Sequence, residues 1–526
     1  MPLDRVFEKR LAGLVNGRSA GALQGGLKGV EKESLRVRPQ GEVSQRPHPR
    51  ALGSALTNEH ITTDYSEALI ELVTPPFAQT WELVQYLCDL HQFVYGRLED
   101  DEMLWATSMP CAVRGDDSIP IAGYGTSNVG RMKNVYRRGL GLRYGRVMQA
   151  ISGVHFNYSF PEHFWPVYAE LLQSRAAGDA FRSETYFALL RNYRRHGWIV
   201  LYLFGNSPAV CESFLQGRNV PGLDELMPGT LYAPYATSLR MSDLGYRNKS
   251  QAGLSISVNS LEHYVRDLSR ACSTLHEPYE RLGVKVDGEY RQLNANLLQI
   301  ENEYYSFIRP KRVTQSGERP TRALQRAGVQ YVEMRSLDVS AFDPVGVNQS
   351  KLRFLEAFAA FCVLRESLQI GPSEQEELDG NHAVVAREGR KPGLALRRDG
   401  RDAPLRDWAL EIMDTMRGVC ELLDAGDPQR PYATALEAQE AKVRDVALTP
   451  AARSLQEMQV NEESFFKFGL RMSKLHRSYF TELFSPNAER QQEFSAEAQE
   501  SLEAQARIEA ADRLSFDEYL ERYFAR

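Results

Sequence analysis

Apolar positions alternate with polar ones in some stretches of the chain and recur at helical spacing in others. Leu27–Val37 reads as a strand, and residues 151–160 alternate strictly. In the second stretch Phe156, Tyr158 and Phe160 take one face, and His155, Asn157 and Ser159 the other. Strands are also predicted over 297–305 and 329–337, and 67–74 reads as helical or extended, closed by Pro75-Pro76. A helix is predicted from Trp81 to about Glu99, with Leu83, Tyr86, Leu87 and Leu90 on one side. Another covers 184–195, and residues 1–25 read as a short amphipathic helix and a glycine-rich turn. Residues 106–145 shift toward Gly, Ser, Asn, Arg and Tyr and read as a long functional loop, with a second glycine- and tyrosine-rich stretch at 229–253. Beyond about residue 350 the pattern is helical, with a linker-like break over 388–402. The last stretch, 482–526, carries eleven acidic and five basic side chains and reads as an exposed helix with a solvated face. Strands mixed with helices, followed by helices alone, predict an α+β chain. Residues 1–526 are expected to form one unit, with a sheet-rich core over 1–350 and a mainly helical part over 351–526.

Composition narrows the function. Apolar, aromatic and charged fractions of 43%, 10% and 25% are those of a globular protein, which excludes a mostly disordered or fibrous chain. Sixty-three basic against 69 acidic residues leave a net charge of −6, so no global field recruits nucleic acid or an anionic membrane. The six cysteines form no C-x-x-C pair and are expected to be reduced. The N-terminus lacks a signal-peptide core, and the longest apolar runs are too short to cross a bilayer. A cytoplasmic protein is expected.

Charged side chains on faces that should turn inward carry the chemistry. In G-V-E-K-E-S-L-R-V, Glu31 and Glu33 point the same way on a strand, roughly 6.6 Å apart, and Leu35 and Val37 continue that face. The pair admits a solvated strand face or a site for metal ions bridged by phosphate. Asp64 follows Thr-Thr, where a turn or cap is the other reading, and Glu71 sits inside A-L-I-E-L-V, where burial is costly without a partner. Glu67 reads as a surface or capping residue. His155 fits either a metal ligand or a structural strand histidine. Glu333 and Arg335 share a face in V-Q-Y-V-E-M-R-S-L-D, as a cross-strand ion pair or as ligand and carboxylate-gripping fork. Together, five carboxylates and one imidazole suit Mg²⁺ or Mn²⁺. Cationic and phenolic stretches near Tyr136, Ser238 and Glu301 make a receptacle for a nucleotide triphosphate and an anionic substrate. No P-loop, Rossmann fingerprint, nucleophile elbow or H-E-x-x-H is present.

Those motifs resemble the proteobacterial glutamate–cysteine ligase family. The resemblance runs from about Leu27 to Leu337 through G-V-E-K-E-S-L-R-V, A-L-G-S-A-L-T-N-E-H-I-T-T-D, Y-G-T-S-N-V-G-R, Q-A-I-S-G-V-H-F-N, P-Y-A-T-S-L-R-M-S-D-L-G-Y, L-Q-I-E-N-E-Y-Y and I-R-P-K-R-V. The helical remainder matches loosely, apart from E-G-R-K-P-G-L. The resemblance implies a glutamine-synthetase-like funnel of mainly antiparallel sheet with helices outside. It implies that Glu31, Glu33, Asp64, Glu71, His155 and Glu333 hold two or three Mg²⁺ ions, and that Arg335 grips glutamate. Tyr136, Leu140, Ile151, Arg240, Tyr246 and Tyr305 are implied to line the cysteine site, with Arg240 also aiding charge in catalysis. Tyr65 stands beside that pocket where the family is expected to carry phenylalanine. Lys249, Arg309, Lys311 and Arg312 are assigned to nucleotide phosphates. The implied reaction joins the γ-carboxylate of L-glutamate to the amine of L-cysteine through a γ-glutamyl phosphate, consuming ATP and opening glutathione synthesis. A monomer subject to glutathione feedback is expected. The rival readings are a same-fold ligase for another amine, a Mg²⁺-dependent hydrolase and a non-catalytic relative.

Overall fold

The computed structural model describes residues 5–15, 19, 21–99, 102–245, 254–315, 317–483 and 485–525. At its centre lies a sheet built from β1 (Leu27–Val37), β2 (Ile61–Thr63), β3 (Leu69–Val73), β4 (Met103–Leu104), β5 (Gly153–Ser159), β6 (Ile308–Lys311) and β7 (Tyr331–Asp338). The order is β6-β7-β5-β1-β3-β2, with β4 pairing to the end of β1, and every one of these pairings is antiparallel. β1, in the middle, is buried along nearly its whole length. One face of it carries Glu31 and Glu33, and the other Lys28, Val30, Lys32 and Ser34.

Helices labelled here are α1 (Arg5–Val15), α2 (Thr80–Tyr95), α3 (Asn128–Tyr144), α4 (Gly178–His196), α5 (Gln349–Leu364), α6 (Pro372–Glu388), α7 (Leu405–Leu423), α8 (Ala488–Ala511) and α9 (Phe516–Ala525). α5 is apolar nearly all round, so it can only be a core helix. Its Glu356 takes the Lys28 ammonium at 2.8 Å with both groups buried, tying α5 to the back of β1. Tyr432 adds a second hydrogen bond to the same carboxylate oxygen, at 2.6 Å. A single buried apolar cluster runs from Phe7 to Ala498 and joins the sheet to the helical part. No helix among the described residues is long and apolar enough to cross a membrane.

Five expectations change. The predicted helix over 81–99 runs Thr80–Tyr95 and stops at Gly96. The predicted loop over 106–145 contains α3, which starts at Ser127, whose hydroxyl accepts from the Gly130 amide. Its glycines disguise it, yet they are there for contact: a Cβ on Gly139 would sit 2.3 Å from Gln299 Oε1, and one on Gly141 2.5 Å from the Tyr65 hydroxyl. The predicted strand over 297–305 is instead a turn with a 3₁₀ segment, Glu301–Glu303. There Glu303 Oε2 accepts the Gln299 amide at 2.7 Å, and Oε1 accepts from Arg143 at 2.9 Å, a local competitor to strand pairing. The break over 388–402 holds a hairpin, Ala395–Arg398 with Arg401–Pro404, turned by Asp399 and Gly400 at φ 53° and 74°. Finally, Cys111 and Cys211, 100 residues apart, form a disulfide where reduced thiols were expected. Only the fold brings them together.

Candidate active site

Antiparallel register gathers side chains that are remote in sequence. β1 sets Glu33 opposite Glu71 of β3 and Glu31 opposite His155 of β5, while β7 places Glu333 opposite Asn157. Ligand atoms of Glu31, His155 and Glu333 lie within 4.8 Å of one another, and so do those of Glu33, Glu71 and His155. His155 is shared: Nδ1 is 2.9 Å from Glu31 Oε2, and Nε2 is 3.6 Å from Glu33 Oε1. Asn157 Nδ2 donates to Glu31 Oε1 at 2.9 Å, and the Gly153 amide to Glu33 Oε2 at 2.6 Å. Asp64, in the turn after β2, joins the group electrostatically through Glu33 and Glu71. Its carbonyl is held by the Tyr124 hydroxyl at 3.0 Å and by Arg137 Nε.

The cluster divides into two halves of opposite electrostatic character. Burial, then repulsion from Asp64, pushes Glu33 up to about 8. Burial, then Glu31, Asp64 and Glu33, raise Glu71 well above the usual carboxylate range. In the other half burial also opposes ionisation, but Lys311 and Arg335 hold Glu333 well below its ordinary value. Glu31 is lowered too: burial and then Glu333 oppose its ionisation, but the hydrogen bond and charge of His155 together with the charge of Lys311 outweigh them. His155 itself is lowered by burial and then by Arg335, which keeps the imidazole neutral and able to ligate. Four carboxylates around a neutral imidazole, with Asp64 coupled to them electrostatically and Glu33 and Glu71 short of compensating charge, fit a divalent ion of the Mg²⁺ class.

The cationic residues separate by what they touch. Lys311 Nζ donates to Glu333 Oε1 at 3.2 Å and remains 30% exposed, beside the carboxylates. Arg335 donates to Glu333 Oε2 at 3.1 Å and is 20% exposed. It stands at a bulge between Met334 and Leu337, a device that re-aims a side chain. Arg240 is buried beneath it, donating to the Arg335 carbonyl at 3.1 Å. Gly153 makes room for that guanidinium, since a Cβ there would fall 2.0 Å from Arg240 Nη2. Arg309 directs Nη2 to the carbonyls of Asn302 (3.1 Å) and Tyr304, and Arg312 directs Nη1 to those of Ala327 and Gly328. These two guanidinium groups therefore hold backbone together. Tyr246 and Lys249 lie outside the described residues.

Of the remaining predicted residues, Leu140 and Ile151 are buried, and Tyr136 and Tyr305 are half-buried. The Tyr305 hydroxyl accepts from Gln149 Nε2 at 2.8 Å, and its ring meets Tyr144 edge-on at 5.9 Å. Tyr65 is wholly buried against α3. Glu67, expected as a surface or capping residue, is half-buried and accepts the loop amides of His48 and Gly123 at 2.8 and 2.7 Å. Sequence reasoning missed Lys133 and Arg137, one turn apart on α3, both near the Tyr124 ring. Lys133 is pushed down to about 8 by burial and then by Arg137, against the pull of Glu71. The i, i+4 spacing of these cations would have found them had 106–145 been read as helical.

A sequence model described as glutamate–cysteine ligase matches residues 11–385. The chain is 48% identical to a glutamate–cysteine ligase of Pseudomonas putida over 523 residues, 99% of each chain. It is 47% identical to that of Alcanivorax borkumensis over 523 residues, 98% of this chain and 99% of the relative. A crystal structure of glutamate–cysteine ligase from Francisella tularensis in complex with AMP superposes with a TM-score of 0.90 at 36% identity, covering 95% of this chain and 98% of that one.

Proposed function

The chain belongs to the glutamate–cysteine ligase family, and from that premise we propose that the carboxylate floor of β1, β3, β5 and β7 is its catalytic centre. The enzyme is an ATP-dependent ligase of glutamine-synthetase-like α+β fold that forms γ-glutamylcysteine from L-glutamate and L-cysteine. One observation carries the site: the strand register brings Glu31, Glu33, Glu71, His155 and Glu333 to a common face, with Lys311 and Arg335 on its rim.

A carboxylate resists attack by an amine, so it must first gain a leaving group. An oxygen of the glutamate γ-carboxylate attacks the γ-phosphorus of ATP, the bond to ADP breaks, and a γ-glutamyl phosphate forms. The cysteine nitrogen then attacks the acyl carbon, phosphate leaves with the C–O bond electrons, and the nitrogen gives up a proton. Such chemistry depends on positioning and charge neutralisation more than on a protein nucleophile. Glu31, Glu33, Glu71, His155 and Glu333, with Asp64 beside them, would hold Mg²⁺, which when bound supplies positive charge against the phosphates. The planar fork of Arg335 holds a glutamate carboxylate, and Lys311 reaches a phosphate oxygen. Arg240 supports the bulge from below, and Arg309 and Arg312 brace the neighbouring loops. Tyr136, Leu140, Ile151 and Tyr305 shape the small acceptor pocket. The chain works as one unit, a cytoplasmic monomer, and glutathione, which contains both amino-acid parts, competes for the same site.

Phosphate release from ATP with Mg²⁺ and L-glutamate, with and without L-cysteine, tests this reading. Cysteine-dependent turnover yielding γ-glutamylcysteine, lost in Glu31→Gln, is the expected result. Absence of ATP consumption with any pairing of amino acids would overturn it.

A further inference from the structure

The match to the family's sequence model ends at residue 385, yet the last two helices return to the N-terminal half of the chain. Ser501 Oγ accepts the Ser54 amide at 2.9 Å, and its carbonyl takes the Thr57 hydroxyl at 2.5 Å. Gly53 permits this approach, since a Cβ there would lie 2.8 Å from Ala498 Cα. At the far end of α8, Glu509 Oε1 accepts the Thr126 amide at 2.8 Å. Asp512, between α8 and α9, then takes both donors of one residue. Asn128 N reaches Oδ2 at 2.5 Å, and Asn128 Nδ2 reaches Oδ1 at 2.7 Å. The next turn seals the contact, with the Leu514 carbonyl accepting from Asn128 Nδ2 at 2.9 Å and Arg131 lying 4.5 Å over the Phe516 ring. Phe516 and Leu520 form a buried cluster with Met132 and Val135, and Tyr136 packs on it.

Asn128 is the first residue of α3. That helix carries Tyr136 and Leu140 on the wall assigned to the acceptor amine, and Arg137, which holds the Asp64 carbonyl. Tyr136 lies eight residues from Asn128, about 12 Å along a stiff rod at 1.5 Å per residue. A change in how the first turn is seated therefore moves the whole wall. A carboxylate at a helix N-terminus gains from the charge there and from two hydrogen bonds with fixed geometry. We propose that Asp512 is a positioning residue: through Asn128 it sets α3, and with it the acceptor pocket, from the opposite end of the chain. The proposal rests on the assignment of Tyr136 and Leu140 to that pocket.

The test compares Asp512→Ala, Asp512→Asn, Leu140→Ala and, as a control on the solvent side of α8, Glu500→Ala, all in the full-length enzyme. Asp512→Ala is expected to raise KM for cysteine about tenfold and leave KM for ATP within about twofold. Asp512→Asn retains one oxygen for the Asn128 amide and should recover part of the loss. Glu500→Ala should change neither constant. A merely structural role predicts a lower active fraction, with kcat reduced and both KM values unchanged, and that result overturns the proposal. If Asp512→Ala yields no soluble enzyme, the Asn variant decides: a raised KM for cysteine supports the proposal and an unchanged one overturns it. Should Leu140→Ala raise KM for cysteine while the Asp512 variants do not, the pocket assignment stands and this inference fails. Should neither move it, both fall.

Discussion

Replacing Glu33 by Gln should stabilise the metal-free protein while removing most of its activity. The Glu33 carboxyl is buried, accepts the Gly153 amide at 2.6 Å, and is pushed from 4.5 up to about 8 by burial and then by Asp64. The folded state thus holds this proton more tightly than the unfolded chain. Its favourable contribution is complete below pH 4.5 and disappears as pH climbs toward 8. At pH 7 the interval above 4.5, taken at about 1.4 kcal/mol per pH unit, comes to about 3 kcal/mol. At pH 5 the same reckoning leaves less than about 1 kcal/mol. Glutamine does not titrate and still offers an oxygen to Gly153. Paired urea unfolding in EDTA should therefore show Glu33→Gln gaining on the parent by about 2 kcal/mol more at pH 7 than at pH 5. Millimolar Mg²⁺ should reverse the order, because ligand binding stabilises only the chain that retains its donors. One unit charge at 4 Å and an effective dielectric of 20 is worth about 4 kcal/mol, so turnover should fall about a thousandfold. A variant no more stable than its parent at pH 7, or a difference that does not change between the two pH values, would refute the reasoning.

Other substitutions separate roles that the sequence alone leaves merged. The Tyr65 hydroxyl is buried with no hydrogen-bond partner among the described residues. Tyr65→Phe should raise unfolding stability by about 1 kcal/mol with KM for cysteine unchanged, and a large rise in that KM would show the hydroxyl meeting substrate. Lys311→Ala should raise KM for ATP about tenfold, whereas Arg309→Ala should cost about 2 kcal/mol in urea unfolding and leave KM for ATP nearly alone. The reverse pattern would exchange their roles. His476 is buried and pushed down to about 4 by burial and then by Lys32. The unfolded chain takes up its proton first, so stability is intact above pH 6.5 and falls by about 3 kcal/mol as pH drops toward 4. His476→Gln should flatten the dependence of urea-unfolding stability on pH within that window, and an unchanged slope would reject the assignment.

The central strand is legible in the chain because Glu31 and Glu33, two residues apart, share a face that Leu35 and Val37 continue, a short-range spacing that needs no tertiary contact. The resemblance of ordered motifs carries the family as well, since those motifs are local. What is not local had to wait for the fold. Glu33 meets Glu71, and Glu31 meets His155, only through antiparallel register, and a one-residue slip would turn either set away. α3 is hidden because two of its glycines answer to Gln299 and Tyr65, contacts that no helical propensity contains. The disulfide between Cys111 and Cys211 and the grip of Asp512 on Asn128 likewise join segments 100 and 384 residues apart. The sequence by itself determined which residues can do chemistry, through residue type and short-range spacing. The tertiary structure decided which of them meet and which cations brace backbone, because charge interactions depend on separation in space.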